Sequence, residues 1–431
     1  MTTVIASKLK SALDSNTKLV ELDNADDYWQ QKVQGAIEVN APVYLLFPQT
    51  TEALAEIVKQ ASKHQWRILI CGNATKLNWG NTAKDIQLVI SLQNCDRLIE
   101  HAVGDLTITA EAGMKLSDLQ DKLRSHNQFL PINSSYEDAT LGGIVATADT
   151  GSYRQRYGGV RDLLLGISFV RADGEIAKAG GRVVKNVAGY DLMKLFTGAF
   201  GTLGVISQLT FRTYPLIATS QTLLLTGKAG EVGQAVQTIR NSGLTPVAMD
   251  LLSSAVVREL HLGSDMGLII RWQTISESIE QQIEQVDQIA KQLNLSTNVY
   301  QDEAETNLWH KCANLTTIPT SEQLVTGKVG LAPSAAINFL QLEVVNHQVA
   351  VRVHGSSGIG QIRSPADRAL IKQMRSYCEQ NQGFLTILDA PKTLKQQLDT
   401  WGYSGNALKT MKAIKKQFDP QNLLNPDRFL V

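Results

Sequence analysis

The sequence predicts an α+β protein of two domains, and three observations predict it. At 431 residues the chain exceeds the size at which a single core keeps growing. Short apolar runs alternate with segments of 3.6-residue periodicity through its first half. Glycines then recur at tight, non-periodic spacings between apolar runs from Thr140 to Arg212. Such positions let the backbone approach a ligand with its N–H groups turned toward oxygen atoms.

The elements follow in order. Residues 1–40 are polar with a helical tendency and form an N-terminal extension. Val43 to Phe47 reads as a buried strand stopped by Pro48. Thr50 or Thr51 caps the helix that follows, with Leu54, Ile57, Val58 and Ala61 on one face. Arg67 to Ile70 is the next strand and runs into Cys71-Gly72-Asn73-Ala74-Thr75. Leu88 to Ile90 and the alternating segment Leu106 to Ala110 add strands, and Leu116, Leu119 and Leu123 mark another helix. This first domain spans 41–215. A second, over 216–417, mixes strands (Thr222 to Leu225, Leu268 to Trp272, Val349 to Val353) with amphipathic helices. In the clearest of these Ile279, Ile283, Val286, Ala290 and Leu293 share a face, and a core role is preferred for them. Residues 418–431 form a turn-rich closing segment with two prolines.

Bulk properties exclude several functions. Lys+Arg and Asp+Glu both total 41, so there is no basic excess to suit nucleic acid. Neutrality also removes one defence against self-association, which suits an oligomer or a partner subunit. The four cysteines, Cys71, Cys95, Cys312 and Cys378, are scattered without a C-x-x-C pair. An internal iron–sulfur cluster or cysteine zinc site is therefore not expected, and a reducing cytoplasmic setting fits. There is no secretory apolar segment near Met1 and no membrane span of about 18 apolar residues. The Rossmann pattern G-x-G-x-x-G is absent. Gly227-Lys228 and Gly327-Lys328 lack the Ser/Thr and upstream glycine of a phosphate-binding P-loop.

Three glycine-bearing segments, each beside a strand, therefore point to a different dinucleotide cradle. At these residues the chain resembles the vanillyl-alcohol oxidase/p-cresol methylhydroxylase (PCMH) flavoprotein family. The likeness covers Val43 to Tyr214, with weaker traces to the end. It implies an α+β fold: a two-subdomain PCMH-type FAD-binding domain plus an α/β cap domain with an antiparallel sheet. The first flavin loop would be Cys71, Gly72, Asn73, Ala74, Thr75 and Lys76, continuing to Gly80. It is poorer in glycine than is usual, with Asn73 the residue suited to a left-handed turn. No histidine lies in it, so the resemblance implies noncovalent FAD. The second loop would be Thr140, Leu141, Gly142 and Gly143, with Thr140 and Thr147 offering hydroxyls. The third would be Gly201, Gly204, Val205 and Ile206. Main-chain amides at 71–76, 140–143 and 201–206 are expected to converge on one flavin dinucleotide. Residues 185–192 (KNVAGYDL) and Gly198-Ala199-Phe200-Gly201 are similar to the flavin subunits of bacterial glycolate oxidase, the latter to its smaller, E-type subunit. The tail from Asp419 to Pro426 resembles the family's terminal segment that returns to the flavin domain.

Oxidation of a 2-hydroxy acid needs a cation for the carboxylate, a base for the hydroxyl proton and a Cα hydrogen aimed at the flavin. Related dehydrogenases carry a motif like His-x-Gly-Asp-Gly-Asn-x-His, whose histidines can hold a metal. Here it reads from His354 to Gln361, with Ser357 and Gln361 at the aspartate and second histidine, so no metal site is expected. His354 is the candidate base, with packing as the plainer alternative. Arg271 and Arg352 are candidate carboxylate ligands, or structural partners of Asp250 or Glu343. Tyr190 and Trp79 would either stack near the flavin or fill core. Arg154, Arg156 and Arg161, with Tyr153 and Tyr157, form a basic cluster best taken as solvated.

Three functions stay open. One is an FAD-binding subunit of a glycolate oxidase-like complex that turns glycolate into glyoxylate. It would work with a second flavin subunit and pass electrons to a separate iron–sulfur subunit, docked through partners on the inner face of a membrane. A second is a stand-alone 2-hydroxy-acid dehydrogenase. The third is a flavin-bearing scaffold without substrate chemistry, favoured over the second by the degraded histidine motif.

Overall fold

The computed structural model describes residues 2–38, 42–182, 189–217, 219–318, 321, 323–346, 348–403 and 405–430. The chain divides into two compact units. The first comprises Met1–Gly151, Gly158–Leu216 and Gly405–Val431, and the second Ser152–Tyr157 and Ile217–Ser404. The C-terminal residues thus close the first unit, and six residues near 155 belong to the second.

The first unit is built on two main sheets, with a two-stranded pair of Gln128–Phe129 and Tyr214–Pro215 besides. The smaller main sheet has the order Lys18–Glu21, Tyr44–Phe47, Leu88–Ser91, Ile68–Cys71. Its last three strands are parallel and fully apolar in sequence apart from their ends, as expected of strands covered on both faces. The helix Thr51–His64 supplies one cover, with Leu54, Ile57, Val58 and Ala61 buried and Thr50 accepting the Ala53 N–H as N-cap. The strand Lys18–Glu21 lies antiparallel on the edge, inside a segment expected to be helical. Helices Thr2–Ala12 and Asp27–Ala36 flank it. Four residues were too short a signal for alternation to show.

The second sheet of this unit is antiparallel, in the order Leu98–Ala102, Thr107–Glu111, Val205–Arg212, Leu164–Val170, Ile176–Gly180. The other expected elements of the unit lie within one or two residues of their observed bounds.

The second unit is an eight-stranded antiparallel sheet. Its order is Ser296–Gln301, Ser220–Gly227, Met266–Gln273, Ala248–Leu252, Ala350–His354, Ile359–Pro365, Leu324–Gly330, Phe384–Asp389. Strand alternation gives it two unlike faces. Leu223, Leu225, Met249, Leu251, Leu268, Ile270, Trp272, Val351 and Val353 form a wholly apolar face. The helix Ser276–Gln292 packs there through Ile279, Val286 and Ala290. The opposite face carries an apolar patch, Leu224, Leu252, Ile269 and Ala350, beneath the helix Asp302–Thr317. Beside that patch the same face is polar. Among the described residues no helix is long and apolar enough to cross a membrane.

Candidate functional site

A cavity in the first unit encloses about 740 Å3, counting its open mouth. Cys71, Gly72, Asn73, Ala74, Thr75, Lys76, Thr140, Gly142, Gly143, Thr147, Gly201, Gly204 and Ile206 all line it. Leu141 and Val205 do not; both point into the core and are fully buried. All three glycine-bearing segments therefore meet at one cavity.

They do not contribute alike. The amides of Gly72, Asn73, Ala74, Thr75 and Lys76 donate to no acceptor among the described residues. Five successive uncommitted N–H groups make a concave anion site. Its turn is made by Ala74 at φ 55°, not by Asn73. A left-handed alanine costs about 1–2 kcal/mol, strain of the kind that gathers where a backbone meets a ligand. Asn73 instead donates its side-chain amide to the Asp138 carbonyl.

The second segment departs from expectation. Leu141–Thr147 is a short helix capped by Thr140, whose hydroxyl accepts the Gly143 N–H. The Leu141 and Gly142 amides are committed to the carbonyls of Met114 and Ala112. The Thr147 hydroxyl donates to the Gly143 carbonyl at 2.7 Å. This helix offers the cavity a smooth face of small side chains rather than donors. In the third segment the Gly201 and Gly204 amides have no acceptor among the described residues, whereas Val205 and Ile206 are already strand.

Close packing explains the glycines. A Cβ on Gly72 would lie 2.1 Å from the Thr140 hydroxyl, and one on Gly142 2.8 Å from the Ala112 Cβ. One on Gly143 would meet only the Thr140 hydroxyl, at 3.2 Å, with nothing else near.

The electrostatics are those of a backbone site. Lys76 has its ammonium 2.7 Å from Asp149, an almost fully buried pair whose carboxylate also accepts from Ser134. Its charge is thus balanced within the protein. The Cys71 thiol is pushed up to about 12 by burial, against a smaller pull from Arg428, and stays protonated and unreactive. Trp79 is buried against Tyr136 and does not line the cavity. Tyr190 is 86% exposed, so it is not core. Residues 183–188, which include Lys185, Asn186, Val187 and Ala188, lie outside the described residues.

The cavity is lined as well by residues outside the expected cofactor contacts, among them Ile70, Phe200, Asn425 and Arg428. The last two belong to the closing segment. The pair Asn425-Pro426 was the available signal.

These features fit a dinucleotide. A run of free amides suits a pyrophosphate, and a face kept clear by glycine, alanine and threonine suits a flat ring system. Comparison with known proteins agrees. Residues 42–180 match the model of an FAD binding domain, and 394–429 match the C-terminal domain of FAD linked oxidases. The chain thus carries an FAD-binding domain and a segment like the FAD-linked oxidase C-terminal domain, and its cofactor is FAD. This oxidoreductase is 24% identical to glycolate oxidase subunit GlcD of Bacillus subtilis over 90% of this chain and 88% of that one. It is 26% identical to the mitochondrial D-lactate dehydrogenase [cytochrome] of Arabidopsis thaliana, over 99% and 80%. Against glycolate oxidase subunit GlcE of Escherichia coli it is 34% identical over 38% and 47%. The crystal structure of p-cresol methylhydroxylase with substrate bound shares the fold, with a TM-score of 0.75 at 15% identity over 99% and 96% of the two chains.

The candidate chemical side chains lie in the second unit, on the polar part of its sheet. His354 Nδ1 is 2.7 Å from Asp250 Oδ1, across the strand pair that sets Asp250 opposite His354. Asp250 is fully buried and also accepts from Ser152, with Arg352 Nη1 3.6 Å away. Burial alone would raise its carboxyl. The His354 charge and hydrogen bond, then Arg352 and Ser152, outweigh that and hold it below the ordinary carboxylate range. Arg352 also donates to Gln361, whose oxygen accepts from Thr317 as well, while its Nε has no hydrogen-bond partner. Arg271 pairs with Glu305 at 3.0 Å, not with Glu343, and donates to the Tyr153 hydroxyl. Glu305 further accepts from Ser220 and Thr222. Arg154 and Arg156 sit in the short helix Arg154–Tyr157 of this unit, and Arg161 in a helix of the first. Among the described residues no group of three His, Cys, Asp or Glu side chains could hold a metal.

Proposed function

We propose that the protein oxidises a small 2-hydroxy acid, of the glycolate and D-lactate class, as a flavin subunit of a glycolate oxidase-like complex. The observation that carries this is the buried set Asp250, His354 and Arg352, in which a base is oriented and a guanidinium Nε is left without a partner. The likeness to GlcD and to a D-lactate dehydrogenase, running through both units, supports the substrate class. The E-type likeness rests on Gly198-Ala199-Phe200-Gly201 and on the match to GlcE.

Bound FAD would supply the two-electron oxidant for removal of the substrate's Cα hydrogen. The amides of 72–76 and Gly201 would hold its pyrophosphate, and Gly142, Gly143 and Ala146 would leave room for its rings. His354, held through Nδ1 by Asp250, takes the hydroxyl proton at Nε2. Arg352 receives the substrate carboxylate on its open N–H. Electrons then leave to a separate iron–sulfur protein, because the chain's four scattered cysteines offer no cluster ligand set.

A scaffold role without substrate chemistry is the second reading. What favours it is that Arg271 and the other Arg352 nitrogens are already engaged inside the protein. Anaerobic titration of the yellow protein separates the two. Loss of absorbance near about 450 nm, the oxidised-flavin band, on adding glycolate or D-lactate supports the enzyme. An unresponsive spectrum supports the scaffold. Copurification with a cysteine-rich partner tests the complex.

A further inference from the structure

The closing segment does more than pack against the first unit. Leu424 bridges to Ile68 beside the strand Ile68–Cys71. The Asn425 side chain then reaches both donor-bearing loops of the cavity. Its Oδ1 accepts the Ile70 N–H at 2.7 Å, and its Nδ2 donates to the Phe200 carbonyl at 2.5 Å. Asn425 is 4% exposed and held at φ 45°. Arg428 donates to the carbonyls of Leu77 and Asn81, and Lys415 to those of Thr202 and Leu424.

Peptide planarity turns these bonds into an instruction. In a trans peptide the C=O of one residue and the N–H of the next point in opposite directions. With the Phe200 carbonyl held by Asn425, the Gly201 N–H faces away from Asn425, and it has no acceptor among the described residues. Gly201 is at φ 70°, and a Cβ there would meet Asn425 Nδ2 at 2.6 Å, so the glycine admits the asparagine. The Ile70 bond fixes the strand end from which the five free amides begin.

We propose that Asn425 is a positioning residue for the flavin cradle, and that docking of residues 405–430 and binding of the dinucleotide stabilise each other. A cradle completed only by the docked segment binds flavin best in that state. By reciprocity, flavin must then favour docking.

The test uses the full chain with FAD bound and after FAD removal. Hydrogen exchange in residues 405–430 and 200–204 slows when FAD is added back. Asn425→Asp, which sets a carboxylate oxygen against the Phe200 carbonyl, raises the FAD dissociation constant at least about tenfold, the effect of one buried hydrogen bond lost. A merely structural role would lower the flavin-free unfolding midpoint and leave FAD affinity of the folded protein within about twofold, inside the spread of a neutral change. That result, or exchange in 405–430 indifferent to FAD in the unaltered protein, overturns the proposal. Should the variant fail to fold, the exchange measurement on the unaltered chain decides alone.

Discussion

The two units treat their polar groups in opposite ways. The flavin unit engages its charged side chains with each other, Lys76 with Asp149 and Lys415 with Asp419, and leaves backbone amides free. The second unit pairs its strand amides in one broad sheet and crowds its charged side chains onto part of one face. Recognition in the first is a property of chain geometry. In the second it depends on which side chains hold which. Substitutions should therefore act differently in the two: glycine changes on ligand affinity in the first, charge changes on stability in the second.

The largest expected effect breaks the second unit. Asp250→Ala leaves Arg352 buried without its counter-charge and His354 Nδ1 without its hydrogen-bond partner. It should cost about 3–5 kcal/mol, read as a lower denaturant midpoint. A loss under about 1 kcal/mol, as for an exposed pair, would show the cluster to be solvated. Next, Gly72→Ala should cost about 1–3 kcal/mol by overpacking against Thr140, and abolish flavin retention on gel filtration.

Gly143→Ala sharpens the comparison. The added methyl meets little protein, and alanine suits a helix better than glycine by about 0.5–1 kcal/mol. The flavin-free protein should be as stable or more so, while FAD binds about tenfold more weakly, as one crowded contact would give. Equal loss of both would mean that the cavity is not the flavin's. Acid gives a milder test. The Asp250 carboxyl is lowered by folding, so its contribution is complete above the ordinary value of 3.8 and is lost as pH falls below that through the folded value. Unfolding of the second unit followed from pH 5 to 2, a range set by that ordinary carboxylate value, should show this loss, and Asp250→Asn should remove it. Thr147→Ala should matter least, about 0.5 kcal/mol or less in stability, because its hydroxyl bonds only within its own helix.

Legibility in the sequence followed the same division. Buried parallel strands read as apolar runs, and Thr50 read as a cap, because both are local rules. The cradle was visible because close backbone approach requires glycine, and glycine is conspicuous. Its finer design was not. Nothing local says that Ala74 rather than Asn73 turns left-handed, or that the Leu141 and Gly142 amides are engaged by Met114 and Ala112. The two amide bonds come from residues about 30 positions earlier in sequence. The partners of Arg271 and His354 were hidden for a similar reason. Strand register decides that Asp250 faces His354, and the helix Asp302–Thr317 brings in Glu305.

The bond from Ile70 to Asn425 spans 355 residues of sequence. A growing polypeptide therefore emerges from the ribosome with its first nucleotide loop and no counterpart for it, and must make the entire eight-stranded sheet before that counterpart appears. If the closing segment and FAD stabilise each other as proposed, flavin acquisition follows synthesis of that segment, and a truncated product lacking it would carry every glycine of the cradle yet hold FAD more weakly.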